Sequence, residues 1–506
     1  MPPDEQQPFA SRNDRAYLAG IALLTACSWG RWLATGSLKV DESYPSLGVA
    51  TLLFLVLLLG WALLVWSFHG ILTDAFDEAS DEQNAALSTA RLRRLAFLGL
   101  AIASLMLPML SNDIFQLVSW SSRAARGNDV FTTVNALPGS EWASYVSARW
   151  ARTVCHYGPL TLVAAMPAAL AHGSPWTAIL LVRTCWLVPL VAVMLASFRL
   201  LPSMRTFHAM LWLNPLWLLE GPGQLHCDLV GITLISAGVV LAMRRRTVVA
   251  ALLYALAVVS KYTFVLVGPW FLLFETTSKR QRAVRALLLA TAIGACGAAF
   301  YSPFWRGTST LTAPLQDTFS ERPGGTLEEV VGDLVLAARG RSPSPPSTTG
   351  AVAMAQDRAA MGSGWLVVAA VKLAVKVVTM AVVARLLYLM FETNRPEVTA
   401  LGTGAFIVAA VTLGAPKFEP WYLLPALPFF GLSCTSAWRR WLTGAVALGV
   451  LPTFANVLPG TSSIVPIWGV ISTGANVAWF FAMFRARYLV SLAETSQVEA
   501  RGTEAK

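Results

Sequence analysis

The chain has 506 residues, of which 55% are hydrophobic and only 13% charged, with a net charge of +10. Soluble domains carry about 25% charged residues, so this composition excludes an ordinary soluble enzyme and indicates a polytopic membrane protein. The positive charge sits in short clusters between apolar runs, which argues against nucleic-acid binding and instead fixes orientation across a membrane.

The polar segment Met1–Asp14 carries proline and acidic residues and does not resemble a cleaved leader. Residues 1–16 are therefore expected to form a cytoplasmic tail, followed by helices over Tyr17–Ala34, Leu47–Phe68 and Leu95–Leu110. Between the second and third lies a charged stretch, acidic at Asp74, Asp77, Glu78, Asp81 and Glu82 and basic at Arg91, Arg93 and Arg94. It is expected in the cytoplasm, which places Asp113 outside. Residues 112–156 then form a first large extracytoplasmic loop, whose spaced tryptophans and arginines suit interfacial helices.

Further apolar runs cover Tyr157–Ala171, Trp176–Phe198, Phe207–Leu219 and Leu225–Met243, the last closed by Arg244-Arg245-Arg246. Going from an external Asp113 to an internal Arg244 needs an odd number of crossings, so one of the four runs must be re-entrant or interfacial. Phe207–Leu219 is the choice, because it is short and broken by Asn214-Pro215 and Gly221-Pro222-Gly223. Thr247–Glu275 has basic flanks on both sides and is interrupted at Ser260-Lys261-Tyr262, which predicts a hairpin with Lys261 at its outer tip. Helices are then expected over Ala286–Phe304, Trp365–Phe391, Val398–Gly414, Trp421–Cys434, Trp441–Leu458 and Pro466–Phe484. Residues 305–364, rich in Pro, Gly, Ser and Thr, are expected to be a flexible external loop, and residues 485–506 a second cytoplasmic tail. The fold class is thus all-α, with about 13–14 crossings in residues 17–484, some of them short.

Ionisable groups at predicted outer helix ends carry the functional signal: Asn112-Asp113, His156-Tyr157-Gly158-Pro159, Glu220, His226-Cys227-Asp228, Lys261-Tyr262 and the run from Lys417 to Tyr422, which includes Glu419 and Trp421. Charge at membrane depth is costly and points to function by default. Each also has an ordinary explanation. Asp113 can end a helix, His226 and Asp228 can cap one, Lys261 can snorkel, and Trp421-Tyr422 can belong to an aromatic belt. Lys372 and Lys376, on one face of a helix, can attract a phosphate or face a polar cavity. The six cysteines show no CxxC or CxxH spacing, so neither a disulfide framework nor a metal site is indicated.

In order, these motifs resemble the GT-C superfamily of polyprenyl-phosphate-sugar glycosyltransferases, and in particular the actinobacterial polyprenyl-phosphomannose-dependent alpha-1,6-mannosyltransferases. The resemblance runs from about Leu95 to about Pro428. The family's Tyr-Pro-Pro, Gly-His-Asn-Asp, Val-Lys and Pro-Trp-Tyr stand here as Tyr157-Gly158-Pro159, Leu225-His226-Cys227-Asp228, Ser260-Lys261 and Pro420-Trp421-Tyr422. A glycine replaces a proline and a cysteine an asparagine, which leaves the exact sugar and acceptor open.

The resemblance implies a GT-C-like bundle in a bacterial cytoplasmic membrane, with both termini cytoplasmic and the active site outside. Its partners would be a polyprenyl-phosphate sugar, a glycan or glycolipid acceptor, and membrane lipids. Asp113 would be the general base. Lys261, with Lys417, Arg123 and Lys372 in reserve, would hold the donor phosphate, while Asn112, Tyr157, Glu220, His226, Asp228, Tyr262, Glu419, Trp421 and Tyr422 would line the sugar site. The chemistry calls for no cofactor. A divalent metal between Asp113 and Asp228 is compatible with it but not required. A transporter or flippase for a lipid-linked solute is the competing class, since it shares broken helices and buried charge. A non-catalytic subunit of an envelope complex is a third, for which Asp113 would be dispensable.

Overall fold

A computed structural model describes residues 11–38, 45–77, 82–110, 113–135, 140–147, 151–320, 327–341, 350–393, 395–414 and 419–433, with Thr443 and Phe454 beyond them. Every regular element among these residues is helical. Four helices are long and apolar enough to cross a membrane: Leu47–Phe76, Pro175–Leu200, Lys279–Phe304 and Ala355–Glu392. Six shorter apolar helices stand among them. The protein is an all-α polytopic membrane protein, and the crossings expected from sequence divide here into long spans and short, broken ones.

The Arg12–Thr35 helix is capped by Ser11, whose hydroxyl accepts from the Asp14 amide, and it stops at Gly36 in the left-handed conformation. It packs along Leu47–Asp77 through Gly20 and Gly60. A Cβ added at Gly20 would lie 2.8 Å from the Gly60 carbonyl, so the two backbones can approach only because both residues are glycine.

Two ends of the bundle are distinguishable. At one, Arg91 pairs with Asp14 at 2.7 Å and Asp74 at 3.1 Å, tying the first three helices together. In the later helices, Arg245 Nε approaches Glu275 Oε1 at 3.9 Å, just beyond the end of the Asp228–Met243 helix. Asp228 and Lys261 meet at the opposite end, so Thr247–Ser260 runs away from Arg245 and the chain turns back at Lys261 to reach Glu275. Tyr254 clasps the two arms, donating to the Val265 carbonyl at 3.2 Å and stacking on Phe271. The hairpin read from sequence is thus the shape the chain adopts.

Several helices differ from the sequence reading: the second extends to Asp77, and Trp421–Cys434 divides into a tight turn Pro420–Ala426 and a helix Leu427–Ser433. The third runs Glu82–Ala103 rather than Leu95–Leu110, because Pro108 cannot continue a helix and its predecessors unwind with it. Tyr157–Ala171 divides into Pro159–Ala165 and a tighter turn Met166–Ala171 at Pro167. The Phe207–Leu219 run is broken as expected, with a helix Arg205–Trp212, a single turn Pro215–Leu218 and a widened turn Leu219–Gly223. It lies enclosed by protein, where irregular backbone is tolerated. Within 305–364 the chain forms helices Ser309–Ser320, Leu327–Ala338 and Gly350–Met361. The helices expected over Trp441–Leu458 and Pro466–Phe484 and both tails fall largely outside the described residues.

Candidate active site

Three chain segments converge at the end of the bundle opposite Arg91. Asp113 opens the Asp113–Ala125 helix, an element buried almost throughout. The residue is buried, and its carboxylate accepts from Gln116 Nε2 at 2.8 Å through Oδ1 and turns Oδ2 toward His226. Gln116 stands one turn along, where i and i+3 side chains meet.

The second segment follows the widened turn. Leu225 adopts a left-handed φ of 55°, and the His226 amide donates back to the Glu220 carbonyl at 3.0 Å. This swings the His226 ring between two carboxylates before Asp228 starts the Asp228–Met243 helix. His226 Nε2 lies 3.0 Å from Asp113 Oδ2, and Nδ1 lies 3.3 Å from Asp228 Oδ2. Trp421 stacks on the imidazole with ring centroids 3.9 Å apart. The imidazole is buried and flanked on both nitrogens by carboxylates, Asp113 on one side and Asp228 on the other.

Lys261 supplies the third segment. It ends the Thr247–Ser260 helix in an extended conformation, which aims its side chain across the bundle. Nζ donates to both oxygens of Asp228, at 3.0 and 2.9 Å. Two aromatic faces enclose the ammonium, Tyr422 at 4.7 Å and Tyr157 at 5.6 Å. The result is a continuous chain, Asp113–His226–Asp228–Lys261, with a carboxylate at one end and an ammonium at the other.

Gly158 makes this approach possible. Its amide donates to the Ser260 carbonyl at 2.8 Å, and the Thr161 hydroxyl reaches the same oxygen at 2.8 Å. A proline here, as in the family motif, could not make the first bond. A Cβ at 158 would fall 1.8 Å from the Val259 carbonyl oxygen. Gly158→Ala is therefore expected to destabilise the protein by about 1–3 kcal/mol or more, since backbone cannot yield as a side chain does. A lowered thermal midpoint in detergent, with turnover falling alongside, checks this; an unchanged midpoint would show that the hairpin tip shifts freely.

The remaining expected site residues divide. Tyr157, Trp421 and Tyr422 wall the cluster. Glu220 is fully buried at the widened turn, with neither carboxylate oxygen hydrogen-bonded among the described residues. Glu419 is half-buried just before Trp421, and Tyr262 is exposed. Arg123 is spent on a loop: its guanidinium donates to the carbonyls of Val134, Asn135 and Asp129 and to the Thr133 hydroxyl. Lys372 stands on the long Trp365–Thr393 helix. Asn112 and Lys417 lie outside the described residues. Donor atoms of His226, Cys227 and Asp228 fall within 4.8 Å of one another, the spacing of a metal site. Within that trio, both oxygens of Asp228 accept from the Lys261 ammonium.

Sequence reasoning missed Gln116 and Gln224. The signal for Gln116 was its i+3 spacing from Asp113. Gln224, alone between Gly223 and Leu225, carried none.

Fold and site together define a polytopic helical membrane protein with a buried acid–imidazole–acid–ammonium chain at one end of its bundle. A model of the family "alpha-(1->6)-mannopyranosyltransferase, N-terminal domain" matches residues 17–276, half of the chain, and the protein belongs to that family. The matched region holds Asp113, Tyr157, Glu220, His226, Asp228 and Lys261. Alpha-(1->6)-mannopyranosyltransferase A of Mycobacterium tuberculosis is 27% identical over 290 residues, covering 55% of each chain. The match thus spans about half the length of this curated relative.

Proposed function

We propose that this protein transfers a mannosyl group from a polyprenyl-phosphate donor to a glycan or glycolipid acceptor at the extracytoplasmic face of the membrane. The observation that carries the reading is the close approach of Asp113, His226, Asp228 and Lys261 in one buried cluster. An acceptor hydroxyl attacks the anomeric carbon, and Asp113 takes its proton. The bond between that carbon and the phosphate oxygen breaks, its electron pair leaving with polyprenyl phosphate. A single displacement puts nucleophile and leaving group on opposite faces of the sugar, so base and phosphate partner belong at separate ends of a site. Lys261 faces the phosphate, where negative charge grows in the transition state. His226 fixes the orientation of Asp113, and Trp421 and Tyr422 offer faces to the sugar.

The test is transfer by purified protein in nanodiscs, supplied in turn with radiolabelled polyprenyl-phosphate mannose, glucose and arabinose and a short alpha-(1->6)-linked mannan. Mannose should be transferred and the other sugars should not. Movement of the donor across a sealed bilayer without a glycosylated product would replace this reading with that of a flippase.

The sidedness has its own check. Asn128 is exposed just past the helix that Asp113 opens, and Arg245 is exposed at the far end of the helix that Asp228 opens. In a background with the exposed Cys185 changed to serine, Asn128→Cys should react with an impermeant maleimide added outside. Arg245→Cys should react only after permeabilisation. The reverse pattern would place the site in the cytoplasm.

A further inference from the structure

The run Ser104–Leu110, which delivers Asp113, is non-helical backbone inside the bundle, so its polar groups need partners from elsewhere. Side chains supply them. Trp29 Nε1 donates to the Leu105 carbonyl at 2.9 Å, Arg183 donates to the Met106 carbonyl at 2.6 Å, and the Ser28 hydroxyl accepts from the Leu107 amide at 3.0 Å. Two further amides, Met109 and Leu110, converge on one atom: Gln224 Oε1 accepts both, at 2.8 and 2.9 Å.

Gln224 is buried, and its Nε2 rests on Met106 Sδ at 3.4 Å. Its own amide donates to the Leu219 carbonyl at 2.8 Å, so its backbone is anchored in the widened turn. It stands two residues before His226, and Leu110 stands three before Asp113. One amide oxygen thus joins the segment that presents Asp113 to the segment that presents His226. A carboxamide oxygen has the two lone pairs this needs without adding a buried charge beside two carboxylates.

We infer that Gln224 is a positioning residue for the Asp113–His226 contact, setting turnover through the 104–110 segment without touching substrate. The inference rests on the reading of Asp113 as the base. A misplacement of about 1 Å in a reacting group can cost on the order of 100-fold in rate, so the holding atom matters although it does no chemistry.

The experiment compares wild type, Gln224→Met and Gln224→Glu in nanodiscs, with Asp113→Asn alongside. Methionine keeps length and volume but lacks the oxygen. Glutamate keeps an accepting oxygen in either protonation state. Two readouts are taken: amide hydrogen exchange of the peptide covering Met109 and Leu110, and kcat and KM for polyprenyl-phosphate mannose. Gln224→Met should speed exchange at those amides and lower kcat by about 10- to 100-fold with KM changed less than about threefold. Gln224→Glu should keep protection and hold kcat within about tenfold of wild type. Unchanged exchange in Gln224→Met overturns the inference, and so does faster exchange with unchanged kcat. An effect confined to KM overturns it as well. Full turnover by Asp113→Asn would defeat the base assignment alone, because the exchange and kcat of the Gln224 variants are read without it.

Discussion

Asp113→Asn is expected to abolish the proposed mannosyl transfer while leaving donor binding close to wild type. An amide preserves the shape of the carboxylate and can still accept from Gln116, so the start of the Asp113–Ala125 helix should hold its place. It cannot take a proton from an attacking hydroxyl. Loss of a general base costs about 100- to 10,000-fold in turnover. The structure adds a second penalty. His226 Nε2 faces Oδ2 at 3.0 Å, and an asparagine must either turn its NH2 toward a donor or break the Gln116 bond to turn its oxygen there. Single-turnover rates and donor affinity on equally folded protein decide the matter. A fall of less than about tenfold would send the assignment elsewhere. Glu220 is then first in line, as a buried carboxyl whose oxygens make no hydrogen bond among the described residues.

What the sequence revealed, it revealed through cost. Lys261 inside an apolar run between two basic clusters is expensive to bury, and that expense predicted a turn. The turn is there, with Arg245 and Glu275 drawn to one level and Lys261 at the other. Asp113, His226 and Asp228 stood out for the same reason, and the structure brings them into contact. The pairing itself was not legible. Nothing in sequence order says that Lys261 donates to both carboxylate oxygens of Asp228 or that His226 spans two acids. Arg123 looked like a phosphate ligand by charge alone, yet its planar fork matches the carbonyls of the turn beyond its helix. Charge marks a residue as costly without naming what repays it.

Neutral residues were harder still. Gly158 reads as an ordinary helix start, and only the closeness of Val259 shows that no side chain fits there. Gln224 and the unwound Ser104–Leu110 segment explain one another, because irregular backbone at this depth persists only where side chains complete it. Pro108 could have signalled the break, although the apolar run was read as helix through to Leu110. The hydrogen-bonding partners of the unwound segment come from distant parts of the chain, and periodicity carries no information about them.

Lys261→Ala is expected to lower donor affinity and turnover together, but the result needs a partner experiment to be read. The ammonium lies between both oxygens of Asp228, and Asp228 is buried. Removing one member of such a pair strands the other charge, at about 3–5 kcal/mol. Reduced activity could then reflect a weakened fold. Lys261→Met with Asp228→Asn removes both charges at once and should recover most of the lost stability, since neither ion is left uncompensated. Turnover should not recover with it. The growing charge on a leaving phosphate still lacks its cation, a deficit of about 100- to 1,000-fold for the loss of one transition-state donor. Lys261→Arg should retain part of both affinity and rate, because charge persists while the fork replaces a point donor between the Tyr157 and Tyr422 rings. Thermal midpoints, donor binding and single-turnover rates across this set separate structure from chemistry. A double variant that folds and turns over at the wild-type rate would make the Lys261–Asp228 pair a brace for the hairpin tip and would move the phosphate site elsewhere.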